Sequence, residues 1–348
     1  MISFVVLITA VVGGIMYLNS QKASRDTIDG KADVKTTMDK EEKAKLYPVA
    51  KEITTPDGFI NTDEKPITIG EFVGKKVVLL DIWTYSCINC QRTTPYLNAW
   101  YEKYKDKGFV IIGLHTPEFE FEKVYQNVLD AAKRLGIKYP VVLDNDYSTW
   151  NAYQNRFWPR KYLIDIDGYI VYDHIGEGAY EETEKKIQEL LEERETALGM
   201  NEEISKDIST PIGIVGVDSV KPRSPEIYFG ASRNTHLSNG KANTVGLQNL
   251  SEPADVETNA LYLNGSWNFQ DEFAENKSPN AKIIFRYQGK NVYFVAGSEN
   301  GTTIKIIKDG KFIGEQVVTE HTLYHVIQDS KHGEHTLEII IENPTVVT

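Results

Sequence analysis

The sequence predicts an α/β domain, a central mixed sheet flanked by helices, followed by an all-β domain of sandwich or jelly-roll type. Three observations carry this. A nearly continuous apolar run, VVLLDIW at 77–83, suits a central strand buried on both faces. Strand and helix patterns then alternate to about residue 198. Beyond about residue 222 helical periodicity almost vanishes and short strand patterns take over.

The elements follow in order. Ile2 to Leu18, ISFVVLITAVVGGIMYL, is almost wholly apolar. At ~1.5 Å rise per residue it just reaches across a bilayer core of ~30 Å. No small-x-small cleavage site follows, so 1–20 is expected to be a membrane anchor or signal segment, with the uncleaved anchor favoured. Lys22 and Arg25 follow the run and no basic residue precedes it, which by charge alone would put the chain on the cytoplasmic side. Residues 21–50 are polar and read as a linker, with a helical extension as the plainer alternative. The α/β domain is expected over 51–198. After the run at 77–83, Cys90, Leu97, Tyr101 and Tyr104 recur at helical spacing. Phe109 to Leu114 is a second buried strand, and Phe121, Val124, Val128, Leu129, Ala132 and Leu135 line a helix that Gly136 ends. Pro140 to Leu143 is a short strand. Tyr162–Ile166 and Tyr169–Tyr172 flank Asp167-Gly168, a hairpin signal. Ile187, Leu190, Leu191 and Leu198 line the last helix. Residues 199–222 lose periodicity and read as a linker. Over 223–348, strands are expected at Ile283–Tyr287, Val292–Ala296, Thr303–Ile307, Phe312–Val318 and Thr336–Ile341, with a hairpin at Asp309-Gly310.

Composition narrows the function. The 348 residues, 41% hydrophobic and 25% charged, suffice for two or three domains with real cores. A formal net charge of −12 excludes a nucleic-acid partner, which needs a basic face. The two cysteines, Cys87 and Cys90, stand three positions apart. Closing so short a loop removes little entropy from the unfolded chain, so the pair is a poor staple. Zinc would need about four ligands and no second such pair exists; haem attachment would need a histidine where Gln91 stands. Thiol–disulfide chemistry fits best. Cys87 would open a helix, where free N–H groups and the dipole favour a thiolate nucleophile. Cys90, one turn on, would resolve the mixed disulfide.

The stretch VVLLDIWTYSCINCQRTTPYLNAW resembles the active-site strand and helix of thioredoxin-like proteins, and in detail the membrane-tethered TlpA/ResA/DipZ group of extracytoplasmic oxidoreductases. The resemblance covers roughly residues 51–197. It implies that Asp81 is a buried acid that takes or relays the Cys90 proton. It implies that Trp83 packs beneath the site, where it is counted among the substrate-binding positions, and that Pro95 kinks the helix. Trp158-Pro159 stands where the family carries a cis-proline beside the cysteines, which makes Pro159 a site residue and implies that the Trp158 backbone pairs with an extended substrate peptide. Glu118 falls where relatives place a further acid, giving a proton carrier or, more plainly, a solvated helix-start glutamate. Departures are Ser86 before the first cysteine and Ile88-Asn89 between the two, and both bear on redox potential.

Other clusters invite duller readings. His321, His325, His332 and His335 suggest a metal site but read better as loop and strand-edge residues, so no metal is expected. Tyr228, Phe229, Tyr262, Trp267 and Phe269 could stack on sugar rings or fill a β-core. The expectation is an extracytoplasmic, membrane-anchored thiol–disulfide oxidoreductase that needs no cofactor beyond its own disulfide. It would act as a reductase in cytochrome c maturation or redox homeostasis. Its partners would be thiol- or disulfide-bearing proteins, a membrane electron donor of the CcdA/DsbD type, and a glycan or protein ligand of the β-domain. The rivals are a disulfide oxidant or isomerase, and a cell-surface binding protein with an accessory redox domain.

Overall fold

The run at 77–83 forms the strand around which the first domain is arranged in a computed structural model that describes residues 39–63, 65–214 and 221–347. Six strands, β1 (Gly58–Ile60), β2 (Val77–Trp83), β3 (Phe109–His115), β4 (Val141–Leu143), β5 (Arg160–Ile164) and β6 (Ile170–Ile175), hydrogen-bond in the order β1-β4-β3-β2-β5-β6. The pairs β2–β3 and β3–β4 are parallel, and the other three are antiparallel. Five helices accompany the sheet: α1 (Lys40–Leu46), α2 (Ile88–Tyr104), α3 (Tyr125–Arg134), α4 (Ser148–Ala152) and α5 (Tyr180–Ala197).

All seven residues of β2 are buried, as a strand covered on both faces must be. Successive side chains point to opposite faces. Val77, Leu79 and Trp83 share one core with Leu97 and Trp100 of α2 and Ile187 and Leu191 of α5. Val78, Leu80 and Ile82 share the other with Trp150 and Tyr153. The same alternation turns Asp81 toward the α2 side.

The apolar run at 2–18, expected as a membrane segment, lies outside the described residues; among those, no helix is long and apolar enough to cross a membrane. The expected 21–50 linker needs correcting where it is described, because its last part folds onto the domain. Lys43 of α1 is buried, with Nζ 2.7 Å from carboxylate oxygens of both Asp165 and Asp167 and in contact with Glu193. An ammonium among three carboxylates ties α1 to the β5–β6 hairpin and to α5. Val49 bridges Tyr169. The 199–222 linker starts late as well. Ile204 is buried in the first core, and Ser209 donates from its N and Oγ to Glu184 at 2.7 Å each. Neither segment has an apolar period, so polar contacts of this kind leave no pattern to read.

The second domain is one antiparallel sheet of eight strands: β7 (Gly246–Leu250), β8 (Leu261–Phe269), β9 (Ala274–Asn276), β10 (Ala281–Gly297), β11 (Thr302–Lys308), β12 (Lys311–Val318), β13 (Thr322–Ile341) and β14 (Val346–Val347). β8 pairs β10 directly through Leu261–Asn264, and also reaches it through β9 and β14. Two routes between the same strands require the sheet to curl, and the curl encloses one core. The two strands expected at 283–287 and 292–296 are halves of β10, with a register shift between Gly289 and Asn291. Asp309 and Gly310 both have positive φ, 51° and 72°, as a tight two-residue hairpin demands.

Replacing Lys43 by Ala leaves three carboxylates facing one another without their cation. Urea unfolding of Lys43→Ala is expected to show a loss of about 3 kcal/mol.

Candidate active site

β2 ends at Trp83 and α2 begins at Ile88, so Thr84–Cys87 is the turn from sheet to helix. Cys87 is the N-cap, extended at φ −74°, ψ 119°. Its sulfur therefore sits at the end of α2 where backbone N–H groups lack helical partners. Cys87 is half-buried and Cys90 is 2% exposed; both are free thiols. Burial, then the hydrogen bond and charge of Cys87, raise the Cys90 thiol well above its ordinary value, and Asp81 adds to this. Pro95 lies within α2 as expected.

Asp81 is 2% exposed, and its Oδ1 has no hydrogen-bond partner among the described residues. Burial raises its pKa to about 7, against the opposing pull of Lys161. Lys161 stands directly opposite Asp81 in the β2–β5 register and is fully buried. Its Nζ donates to the Gly176 carbonyl at 3.0 Å, and burial lowers its pKa although Asp81 and Cys90 pull the other way. Each of the three groups shifts another, so Cys90, Asp81 and Lys161 form one buried titrating set.

The Trp158–Pro159 peptide is cis, as expected, and the Trp158 carbonyl oxygen lies 4.0 Å from Cys87 Sγ. The Trp158 indole donates to the Thr116 carbonyl at 3.0 Å and packs on Trp150 with ring centroids 4.4 Å apart. Trp83 lies beneath the site, edge-on to His115 at 5.1 Å, and at 1% exposure it offers a substrate no surface. Its place is support, not substrate contact.

Glu118 is held by the second domain. Its carboxylate accepts from Arg233 at 2.8 Å and from the Tyr228 hydroxyl at 3.3 Å. Burial nonetheless raises its pKa. The Arg233 guanidinium lies 3.9 Å over the Tyr228 ring and 5.3 Å over Phe119. Further contacts join the domains around the cysteines: Tyr85 Oη donates to the His321 carbonyl at 3.2 Å, Glu120 N to Glu272 at 2.9 Å, and Arg92 lies 5.4 Å over the Tyr293 ring. Cys87, Glu118 and Tyr228 line a common cavity of about 890 Å³.

Sequence reasoning missed two buried residues here. Glu122 accepts from Ser86 N at 3.1 Å, Ser86 Oγ at 2.7 Å, Glu118 N at 2.6 Å and Phe119 N at 3.1 Å, and so fixes the turn that presents Cys87. Lys161 was the other. A charged residue inside the apolar run KYLI was its only signal, and its partner depends on register. The four C-terminal histidines do not converge: His335 pairs with Asp309 at 2.7 Å, His332 with the Pro222 carbonyl, His325 stacks on Tyr293, and His321 packs on Phe121. Of the aromatics, Phe229, Tyr262, Trp267 and Phe269 are buried within the β-domain, and Tyr228 faces the domain interface.

A buried acid beneath a CxxC pair at a helix N-terminus, with the carbonyl that precedes a cis-proline beside the first sulfur, defines a dithiol–disulfide exchange centre. Residues 47–191 match the Redoxin family, and residues 224–347 match the family described as thioredoxin like C-terminal domain. The chain is 37% identical over 295 residues to Protein DipZ of Mycobacterium tuberculosis, covering 82% of this chain and 41% of that protein, so it spans well under half of DipZ's length. It is 34% identical over 134 residues to thiol-disulfide oxidoreductase ResA of Bacillus cereus, covering 38% of this chain and 74% of ResA. Among solved structures, the thioredoxin domain of a thiol-disulfide oxidoreductase from Bacteroides vulgatus matches at 28% identity and a TM-score of 0.34, over 40% of this chain and 96% of that one. This chain belongs to the thioredoxin-like thiol-disulfide oxidoreductases.

The raised Asp81 fixes a pH dependence. Unfolded, this carboxyl loses its proton near 3.8; folded, it keeps it to about 7. Unfolding between those values releases a proton, so this group lowers stability as pH rises through the window. Asp81→Asn is expected to flatten that decline, read as urea midpoints measured between pH 4 and pH 8.

Proposed function

We propose that this chain reduces disulfides outside the cytoplasm, drawing electrons from a membrane dithiol donor of the CcdA/DsbD type. The observation that carries the direction is the buried Cys90–Asp81 pair. A strong oxidant of this class holds its reduced form stable. Here burial and Asp81 both disfavour a Cys90 thiolate, so ionisation of this thiol does not stabilise the dithiol.

In that direction the Cys87 thiolate attacks a substrate disulfide and releases one thiol. Cys90 then passes its proton to Asp81 and attacks Cys87 Sγ, releasing the second thiol and leaving the Cys87–Cys90 disulfide. The dithiol loses two electrons and the substrate gains them. No organic cofactor takes part. Pro159 and the Trp158 carbonyl border the place where an extended substrate backbone would lie. The apolar run Ile2–Leu18 supports a membrane tether, and the resemblance to the TlpA/ResA/DipZ group supports an extracytoplasmic position and a role in cytochrome c maturation or redox homeostasis. Partners are then proteins with accessible thiols or disulfides.

The equilibrium potential of Cys87–Cys90 in the full chain tests the direction. A value near or below about −250 mV is expected; one above about −180 mV would make oxidation or isomerisation the function. A kinetic test isolates Asp81. Asp81→Asn is expected to slow resolution of the mixed disulfide by about 10²-fold while the first attack by Cys87 persists, and to remove an apparent pKa near 7 from the resolution step. Equal rates across pH in both proteins would assign the proton elsewhere.

A further inference from the structure

We propose that the cavity between the two domains is a substrate chamber selecting extended, apolar and acidic polypeptide segments beside the reacting disulfide. This deepens the exchange reading of Cys87–Cys90 and rests on it. The chamber is about 890 Å³, within the range of built ligand sites. Its reactive wall is Cys87 with Ile88 and Asn89, the first turn of α2. Its other wall is the curled sheet, where the space reaches apolar side chains such as Leu261, Ile283, Phe294 and Leu337.

Three features choose the occupant. The first is steric. Glu118–Arg233 on one side and Arg92–Tyr293 on the other bring the β-domain against the loop and helix that flank Cys87. A disulfide on a folded, convex surface meets that wall, whereas an extended chain can enter the chamber that Cys87 lines. The second is charge. The chain carries −12 overall, yet Arg223, Lys290 and Lys331 are exposed at the chamber. Of the acids lining it, Glu118 is paired with Arg233, while the exposed Glu226 accepts from the neutral Tyr228 hydroxyl at 3.0 Å. A cationic rim around an apolar interior complements acidic residues flanking apolar ones. The third is an unmet hydrogen bond. Tyr287 lines the chamber at 2% exposure, and its hydroxyl has no partner among the described residues. A buried hydroxyl left unpaired is costly, and a peptide carbonyl would satisfy it.

The reaction is unchanged: Cys87 attacks the peptide's disulfide sulfur, the leaving thiol departs, and Cys90 releases the peptide thiol as the Cys87–Cys90 disulfide forms. The test uses the reduced full chain and unstructured peptides whose single cysteine is a mixed disulfide with 2-thiopyridine, so that each attack releases a coloured thione. Leu/Phe/Glu-flanked and Ser/Lys-flanked peptides are compared, with the 2-thiopyridyl mixed disulfide of free cysteine as the small disulfide, every rate being divided by that of dithiothreitol with the same compound. The apolar–acidic peptide is expected to lead the Ser/Lys peptide by about tenfold, and the lead to shrink several-fold in Lys290→Glu/Lys331→Glu or at high salt. Circular dichroism checks that the variant is folded. A ratio near one, a ratio unmoved by charge reversal, or a preference for free cysteine over both peptides would overturn the chamber and leave the exchange reading standing. No reaction with any of the three would overturn the exchange reading itself.

Discussion

The double burial of β2 is the constraint on which the site depends. A strand covered on both faces has no solvent side, so every second residue must face the layer that carries α2. That geometry puts a carboxyl at position 81 under the helix that begins one turn before Cys90. Water would hold the same carboxyl ionised; here burial keeps it protonated to about pH 7. The redox pair thus inherits its proton acceptor from the packing of the sheet.

What was legible in the sequence follows from the same physics. Cys87 and Cys90 were legible from their spacing, and the family resemblance added Asp81 and Pro95 on the same continuous strand–turn–helix. Trp158-Pro159 was legible through the family resemblance, which places a cis-proline just before the strand that leads into the hairpin. Lys161 was not, since its place opposite Asp81 depends on which residues of β2 and β5 pair, and two apolar strands admit several registers. Glu122 was hidden for a different reason. It is a carboxylate serving backbone N–H groups three and four residues back and that of Ser86 in a distant turn, which no periodicity records. The domain edges at α1 and Ile204 moved because ionic and hydrogen-bonded segments carry no apolar stripe.

The β-domain changes what the first domain can meet. Alone, the end of α2 would face solvent. With the curled sheet against it, Glu118 passes from an exposed loop acid to a buried anchor for Arg233 and Tyr228. The segment from Glu118 to Lys123 is therefore held from both sides. Glu122 grips the cysteine turn from within, and Glu118 and Glu120 grip the second domain from without. Position of the nucleophile and position of the β-domain are set by one short stretch of chain.

The pairing of Asp81 with Lys161 has a consequence for the redox cycle. Burial raises the acid and lowers the amine, so their proton affinities approach one another. Carboxylate with ammonium, or carboxylic acid with amine, both sum to zero charge. A proton arriving at Asp81 from Cys90 therefore meets a neighbouring ammonium that burial makes easier to deprotonate than it is in water. The sheet register that sets these two residues face to face makes this pocket a buffer as well as a base.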